Sequence, residues 1–130
     1  MNCMKEVVST DKSPAAIGPY VQAVKIKASE MLFCSGQIPL DHEGGQLITG
    51  PAADQAKRVM ENLKAIIEAP GYTFDDVVKT TIYLIDLEDF GEVNRVYESY
   101  FSGSFPARTT VQVAALPRGA ALEIDAIACR

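Results

Sequence analysis

Hydrophobic and polar positions alternate with two different periods along the chain, and these periods predict two helices among six strands. Between positions 52 and 69 apolar side chains recur every three or four residues with charged side chains opposite, as in an amphipathic helix lying on a core. A second apolar stripe follows positions 87–89, where acidic residues stand at the positive end of a helix. The predicted order is β-β-β-α-β-α-β-β, with both helices on one face of the sheet.

The predicted strands are shorter runs rich in β-branched and apolar residues, at positions 6–9, 21–28, 31–38, 76–85, 108–113 and 122–129. The run 31–38 is the most uniformly apolar, so we expect a central strand. Near its end Gly36 leaves room for another backbone or a ligand. The face without helices is expected to mix apolar groups with Thr110, Gln112, Glu123, and Lys79 or Thr80. Such a face is typical of an oligomer interface, and a solvated face is nearly as well supported.

Composition narrows the class of protein. A chain of 130 residues fits a single domain over residues 1–130. The net charge of -5 and the pI near 4.8 argue against a nucleic-acid partner, because phosphate binding depends on Lys and Arg. No segment approaches the roughly 20 apolar residues that span a membrane, and the N-terminal residues contain no apolar run of signal-peptide length. We therefore expect a cytoplasmic protein with no membrane partner.

Cofactor and metal motifs are absent from the sequence. There is no phosphate-binding loop, dinucleotide fingerprint or paired-cysteine metal motif, so no cofactor and no metal are predicted. Cys3, Cys34 and Cys129 are an odd number without CxxC spacing, which suits a reducing compartment better than a disulfide framework, and the latter two are expected to be small buried side chains. His42, the only histidine, is expected in a solvated loop.

The segment FPARTTVQV places one arginine, Arg108, at the entrance to an apolar strand. A guanidinium is always charged and offers a planar fork of donors, so it needs an anion from the protein or from a ligand. Strand alternation predicts that Arg108 and Glu123 share one face of neighbouring strands. The residues alone favour an ordinary cross-strand ion pair over a substrate site. They likewise favour a packed aromatic role for Tyr20 and a plain surface position for Asn94.

Five segments together carry a more specific signal: AAIGPYVQAV, SGQIPL, QAKRVMENLKAIIEAPG, VVKTTIYLIDLEDFGEVN and FPARTTVQVAALPRGAALEIDAIA. In this order the chain closely resembles the RidA/YjgF family of reactive-intermediate deaminases over nearly its whole length. The resemblance implies an α+β chorismate-mutase-like fold. It also implies a homotrimer whose sheets face a central barrel, with three clefts at the subunit boundaries.

The resemblance also implies site residues. Arg108 matches the arginine that holds the substrate carboxylate, Glu123 the glutamate that orients water, and Tyr20 the tyrosine of the IGPY motif. Further positions match the family's cleft lining, namely Ser35, Gly36, Phe90, Asn94 and Thr110. Many members have a cysteine where this chain has Thr110, so we expect activity to survive through the backbone N–H and thiol-dependent properties to be absent.

The implied reaction is the hydrolysis of 2-imino acids, or of their enamine tautomers, to 2-oxo acids and ammonia. Arg108 would bind the carboxylate, Glu123 would serve as general base or water anchor, and Tyr20 would complete the pocket. These roles require that Arg108 and Glu123 do not simply neutralise each other. One alternative is a sensor or chaperone-like trimer that binds small carboxylates without turnover. A ribonuclease, the other alternative, is disfavoured by the acidic pI and by the lack of a histidine near the cleft.

Overall fold

The computed structural model describes residues 4–130, and Cys3 lies outside this range. Eight main elements follow in the order β1 Met4–Val8, β2 Ala23–Lys27, β3 Met31–Gln37, α1 Ala52–Glu68, β4 Val77–Leu84, α2 Phe90–Glu98, β5 Ala107–Gln112 and β6 Leu122–Cys129. The predicted order of elements is therefore confirmed, and their ends differ from the prediction by a few residues.

The strands form a mixed sheet. The order is β3-β6-β4-β5, in which β4 and β5 run parallel and the other pairs run antiparallel. β1 and β2 pair as an antiparallel hairpin, and an isolated parallel bridge from Val21 to Ala107 connects its second strand to the start of β5. Two helices on one mixed sheet confirm the predicted α+β fold.

β3 occupies a different place from the one predicted. It lies at one end of the four-stranded sheet and, among the described strands, pairs with β6. Cys34 is buried in the core, whereas Phe33 on the opposite face is 69% exposed. The expectation of a central strand was wrong because a continuous apolar run does not distinguish a central strand from an edge strand whose uncovered face is also apolar.

The core lies between the two helices and one face of the sheet. β4 contributes Ile82 and Leu84, and β6 contributes Leu122 and Ile124, all of them completely or almost completely buried. The buried positions of the helices are Ala56, Val59, Met60, Leu63, Ile67, Val93 and Tyr97. Each large apolar side chain buried here contributes about 1.5–3 kcal/mol to folding, so this layer fixes where α2 and β5 meet.

The register of β4 with β5 corrects the predicted composition of the sheet face that carries no helices, which we call the open face. Arg108 pairs with Thr80 and Thr110 pairs with Ile82. Because paired residues of adjacent strands point to the same face, Thr110 and Thr80 belong to the helix-covered face, as does Gln112. The open face instead carries Lys79, Thr81, Tyr83, Phe33, Thr109, Val111, Glu123, Asp125 and Ile127.

The cysteines and the histidine can be compared with their predictions. Cys34 is buried and free, and His42 is exposed in its loop, both as expected. Cys129 is buried, as expected, and it is also disulfide-bonded, although the spacing of the cysteines favoured a reducing compartment over a disulfide framework. Within residues 4–130, no helix has the length and apolar character needed to cross a membrane.

Candidate functional site

Arg108 is half-buried between three aromatic rings at the second position of β5. Its guanidinium carbon lies 5.4 Å from the ring centre of Tyr20, 5.5 Å from that of Phe90 and 5.2 Å from that of Tyr97. Rings at this distance attract a cation through their electron-rich faces. We call these three rings together with Asn94 the arginine cage.

α2 supplies most of the cage. Phe90, Asn94 and Tyr97 stand at i, i+4 and i+7 and therefore lie on one side of the helix. Arg108 Nη1 donates a hydrogen bond of 2.8 Å to Asn94 Oδ1. The Tyr97 hydroxyl lies 2.8 Å from Thr80 Oγ1 in the core. α2 is therefore held to β4 at one turn and to the guanidinium at another.

The charge of Arg108 is not neutralised inside the described part of the chain. Burial is the main influence on its pKa, which it lowers, while Tyr97 and Tyr20 act in the opposite direction. No carboxylate of residues 4–130 forms an ion pair with it, and Asn94 accepts only one of its five N–H groups. Arg108 thus keeps donors available for an incoming anion.

The segment 15–20, called here the Tyr20 loop, lies beside the guanidinium. Its backbone turns at Gly18, whose carbonyl accepts a 2.7 Å hydrogen bond from the Tyr20 N–H. A Cβ at Gly18 would stand 3.9 Å from Arg108 Nη2. Gly18 therefore lies directly beside the guanidinium.

Thr110 adds a second polar group two residues beyond Arg108, on the same face of β5. Its Oγ1 is buried and has no hydrogen-bond partner among residues 4–130. Buried hydroxyls are normally hydrogen-bonded because an unsatisfied one costs about 1–3 kcal/mol. This hydroxyl is therefore suited to a polar atom brought by a ligand.

Glu123 forms a separate group with the end of β3. It lies on the open face of β6 opposite Tyr83, and Gly36 approaches it so closely that a Cβ at Gly36 would overlap Glu123 Oε2 and stand 2.8 Å from Glu123 Cδ. Ser35 is exposed beside Gly36. We call Ser35, Gly36 and Glu123 the glutamate cluster.

The prediction that Arg108 and Glu123 share one face of neighbouring strands is wrong. β4 separates β5 from β6, and the two side chains project from opposite faces of the sheet. Tyr20, Phe90 and Asn94 contact Arg108, and Thr110 lies on the same face of β5, so these four residues lie together, and a common cleft stays a prediction. The glutamate cluster does not join them within one protomer.

Comparison with known proteins identifies the family. The family model described as Endoribonuclease L-PSP matches residues 10–130. Protein DfrA of Myxococcus xanthus is 55% identical over 124 residues, which are 95% of each chain. A protein of Mus musculus named 2-iminobutanoate/2-iminopropanoate deaminase is 51% identical over 125 residues, which are 96% of this chain and 91% of that protein. The crystal structure of E. coli TdcF with bound serine is 42% identical with a TM-score of 0.74, and the match covers 96% of this chain and 98% of TdcF.

The chain belongs to the RidA/YjgF family.

In this RidA/YjgF protein, Tyr97 is a cage residue that the sequence analysis did not name as a site residue. Its helical spacing from Phe90 and Asn94 was a usable signal, because residues at i, i+4 and i+7 share one side of a helix. Asn94 also differs from the plain surface position that the residues alone indicated, since it is half-buried and hydrogen-bonded to Arg108.

Proposed function

We propose that this protein hydrolyses 2-imino acids such as 2-iminobutanoate and 2-iminopropanoate, or their enamine tautomers, to 2-oxo acids and ammonia. The observation that carries the proposal is a half-buried arginine with available donors and no carboxylate partner in the described chain. The name of the mouse relative and the serine bound to TdcF support a small amino-acid-like substrate.

Arg108 supplies the binding step. Its remaining N–H groups can hold a carboxylate in a bidentate fork, a geometry that a lysine does not offer. The hydrogen bond to Asn94 fixes the plane of the guanidinium, and the rings of the arginine cage keep water away from its faces. Thr110 Oγ1 can contribute a further hydrogen bond to the substrate.

Glu123 supplies the chemical step. A protonated imine carbon is already electrophilic, so the reaction needs no metal, no cofactor and no covalent nucleophile. Water adds to this carbon as Glu123 accepts its proton, which gives a tetrahedral carbinolamine. Glu123 returns this proton to the carbinolamine nitrogen, the C–N bond breaks to release ammonia, and the hydroxyl gives up its proton to the Glu123 carboxylate as the carbonyl of the 2-oxo acid forms. Tyr20 closes the pocket beside the substrate carboxylate.

The proposed reaction requires a second copy of the chain, because Arg108 and Glu123 are separated within one copy. Because Arg108 and Glu123 lie on opposite faces of one sheet, a single protomer cannot present both to one small substrate. We therefore assign the arginine cage to one protomer and the glutamate cluster to its neighbour in a homotrimer, each protomer being one RidA-like domain. Phe33, Met31 and Val111 on the open side of the sheet are exposed apolar groups that such an assembly would cover.

The test generates the unstable substrate in place. A dehydratase acting on threonine or serine releases the enamine and imine, and semicarbazide traps what remains. Wild-type protein should lower the amount of imine that semicarbazide traps, and Arg108→Ala should leave this amount unchanged. Binding of 2-oxobutanoate without any decrease in trapped imine would instead support a carboxylate sensor. Cleavage of RNA by pure protein at low salt would support the ribonuclease, and we expect the RNA to remain intact.

A further inference from the structure

The side chain of Gln22, just before β2, is bonded to the loop that precedes it. Its Oε1 accepts a 2.6 Å hydrogen bond from the Thr10 N–H. Its Nε2 donates to the carbonyl oxygens of Pro14 at 2.6 Å, Thr10 at 3.1 Å and Ser13 at 3.4 Å. One amide group therefore joins both ends of the segment 10–14.

These four bonds are the hydrogen bonds that connect residues 10–16 with the chain beyond the Tyr20 loop, within the part that the structure describes. Residues 9–18 are all exposed, and Ile17 is 92% exposed. A cavity of about 440 Å³ lies here and is lined in part by Thr10, Ala15, Tyr20 and Gln22. The loop is thus held by the amide more than by packing.

The segment that Gln22 holds leads directly into the arginine cage. Pro14 precedes the Tyr20 loop, the Ile17 N–H lies 3.5 Å from the Tyr20 hydroxyl, and Gly18 and Tyr20 flank Arg108. At its far end the loop is fixed by the Val21 N–H, which donates to the Pro106 carbonyl at 3.3 Å. Gln22 and Val21 therefore hold the two ends of one strap beside the guanidinium.

We propose that Gln22 is a positioning residue that keeps the Tyr20 loop against Arg108 and thereby sets the affinity for the substrate carboxylate. The inference rests on the proposed function, because it assigns Arg108 to carboxylate binding. Releasing the loop admits water to the guanidinium, and water weakens its attraction for a carboxylate. This loss affects bound substrate and transition state alike, so it raises KM and leaves kcat unchanged.

Gln22→Glu is the sharpest variant because it keeps the shape of the side chain and removes both donors. At about pH 8 its carboxylate faces three carbonyl oxygens, and we expect KM to rise about tenfold with kcat within about twofold of the wild type. Gln22→Met lacks both donors and adds no charge, so it should also raise KM, and agreement of the two variants would assign the effect to the lost donors.

Gln46→Glu is the matched control, since it introduces the same charge at an exposed loop position. It should leave KM and kcat unchanged. Two further measurements do not depend on turnover: the Kd of 2-oxobutanoate by calorimetry, and amide hydrogen exchange across residues 10–20. Gln22→Glu should weaken the binding about tenfold and accelerate the exchange at about pH 8.

If Gln22→Glu lowers kcat and leaves KM unchanged, the variant has only lost folded protein, and the inference is overturned. The inference is also overturned if this variant changes neither the Kd of 2-oxobutanoate nor the amide hydrogen exchange of residues 10–20. If the wild type binds 2-oxobutanoate but turns over no imine, the proposed reaction fails and the Kd of Gln22→Glu still decides the role of the loop. If the wild type binds no 2-oxobutanoate, both proposals fail.

Discussion

Arg108 and Glu123 project from opposite faces of one sheet, with β4 between the strands that carry them. An ion pair within the protomer is therefore absent by geometry, and the guanidinium remains available to a ligand. A carboxylate in contact with Arg108 would have competed with every anionic substrate. Their placement on opposite faces therefore prevents the two side chains from pairing within one chain.

The first prediction concerns complementation between subunits. Arg108→Ala and Glu123→Gln should each be inactive, but co-expression of the two variants should restore activity. Random mixing in a cyclic trimer leaves about one quarter of the sites with both an intact arginine and an intact glutamate, so we expect about a quarter of the wild-type activity. The imine-trapping assay measures this fraction on the purified mixed trimer.

Co-expression of Arg108→Ala with Arg108→Lys provides the control, since no mixed site then contains an arginine. Mixed trimers of Arg108→Ala and Glu123→Gln that remain inactive would contradict the shared site.

The second prediction concerns Asn94, which accepts a hydrogen bond from Arg108. Asn94→Asp has the same shape and supplies the missing counter-ion, so it should raise the melting temperature and compete with the substrate. We expect the Kd of 2-oxobutanoate to rise by about ten- to a hundredfold, the range of about 1.4–2.8 kcal/mol for a charged hydrogen bond. Calorimetry and thermal unfolding check both effects.

Gln46→Glu is the control for this prediction too, because it adds a negative charge outside the arginine cage. Equal weakening of binding by both variants would attribute the effect to net charge and exclude the local ion pair.

The third prediction concerns the close approach of Gly36 to Glu123. A methyl group at Gly36 would occupy the space of the Glu123 carboxylate, which must then move. Because the displaced group is the end of a flexible side chain on the open face, we expect little change in stability. Activity should fall by at least about tenfold, since small misplacements of a catalytic group are costly.

Gly44→Ala is the matched control, because its added Cβ would meet Asp41 Oδ1 at an ordinary 3.7 Å. Melting temperatures and imine trapping should separate the two variants, and equal activity of Gly36→Ala and wild type would refute a catalytic position for Glu123.

The fourth prediction concerns alkaline stability. Burial raises the pKa of Tyr97 to about 12, against an ordinary value of 10.0, with the hydrogen bond to Thr80 and the charge of Arg108 acting in the opposite direction. Since the folded pKa is the higher one, Tyr97 contributes stability below pH 10 that is lost as the pH rises through about 12. Tyr97→Phe should cost about 1–2 kcal/mol at pH 7, because Thr80 loses its partner.

Denaturant unfolding of both proteins from pH 7 to pH 12 measures the difference. The difference in the free energy of unfolding between wild type and Tyr97→Phe should become smaller above pH 10, because only the wild type must ionise this buried hydroxyl. A gap that stays constant over this range would contradict the assignment.

The order of elements was predictable from local pattern, because helical and strand periods differ and proline and glycine mark the ends. The position of each strand in the sheet was not predictable in this way. β3 was predicted in the centre of the sheet and lies at its edge. An apolar run indicates that a strand is buried or lies in an interface, but it does not indicate which strands pair with it. The resemblance to the family predicted the fold class, whereas periodicity alone gave only the order of the elements.

The sequence predicted which residues lie near Arg108 in the candidate site better than it predicted their geometry. Arg108, Asn94 and Phe90 do come together, but the relation of Arg108 to Glu123 depends on β4 lying between their strands. Alternation assigns a residue to one of two faces only after the register is known. Tyr97 was missed as a cage residue because its burial in the core gave it a sufficient explanation.

The available guanidinium of Arg108 has a consequence for the lifetime of the protein in a cell. A half-buried cation with no carboxylate partner among residues 4–130 destabilises the fold without ligand, and an anion that binds it stabilises only the folded state. Unfolded chains are removed by proteases, so a supply of the bound carboxylate would slow that removal. The abundance of the protein would then follow the abundance of its ligand without any change in its synthesis.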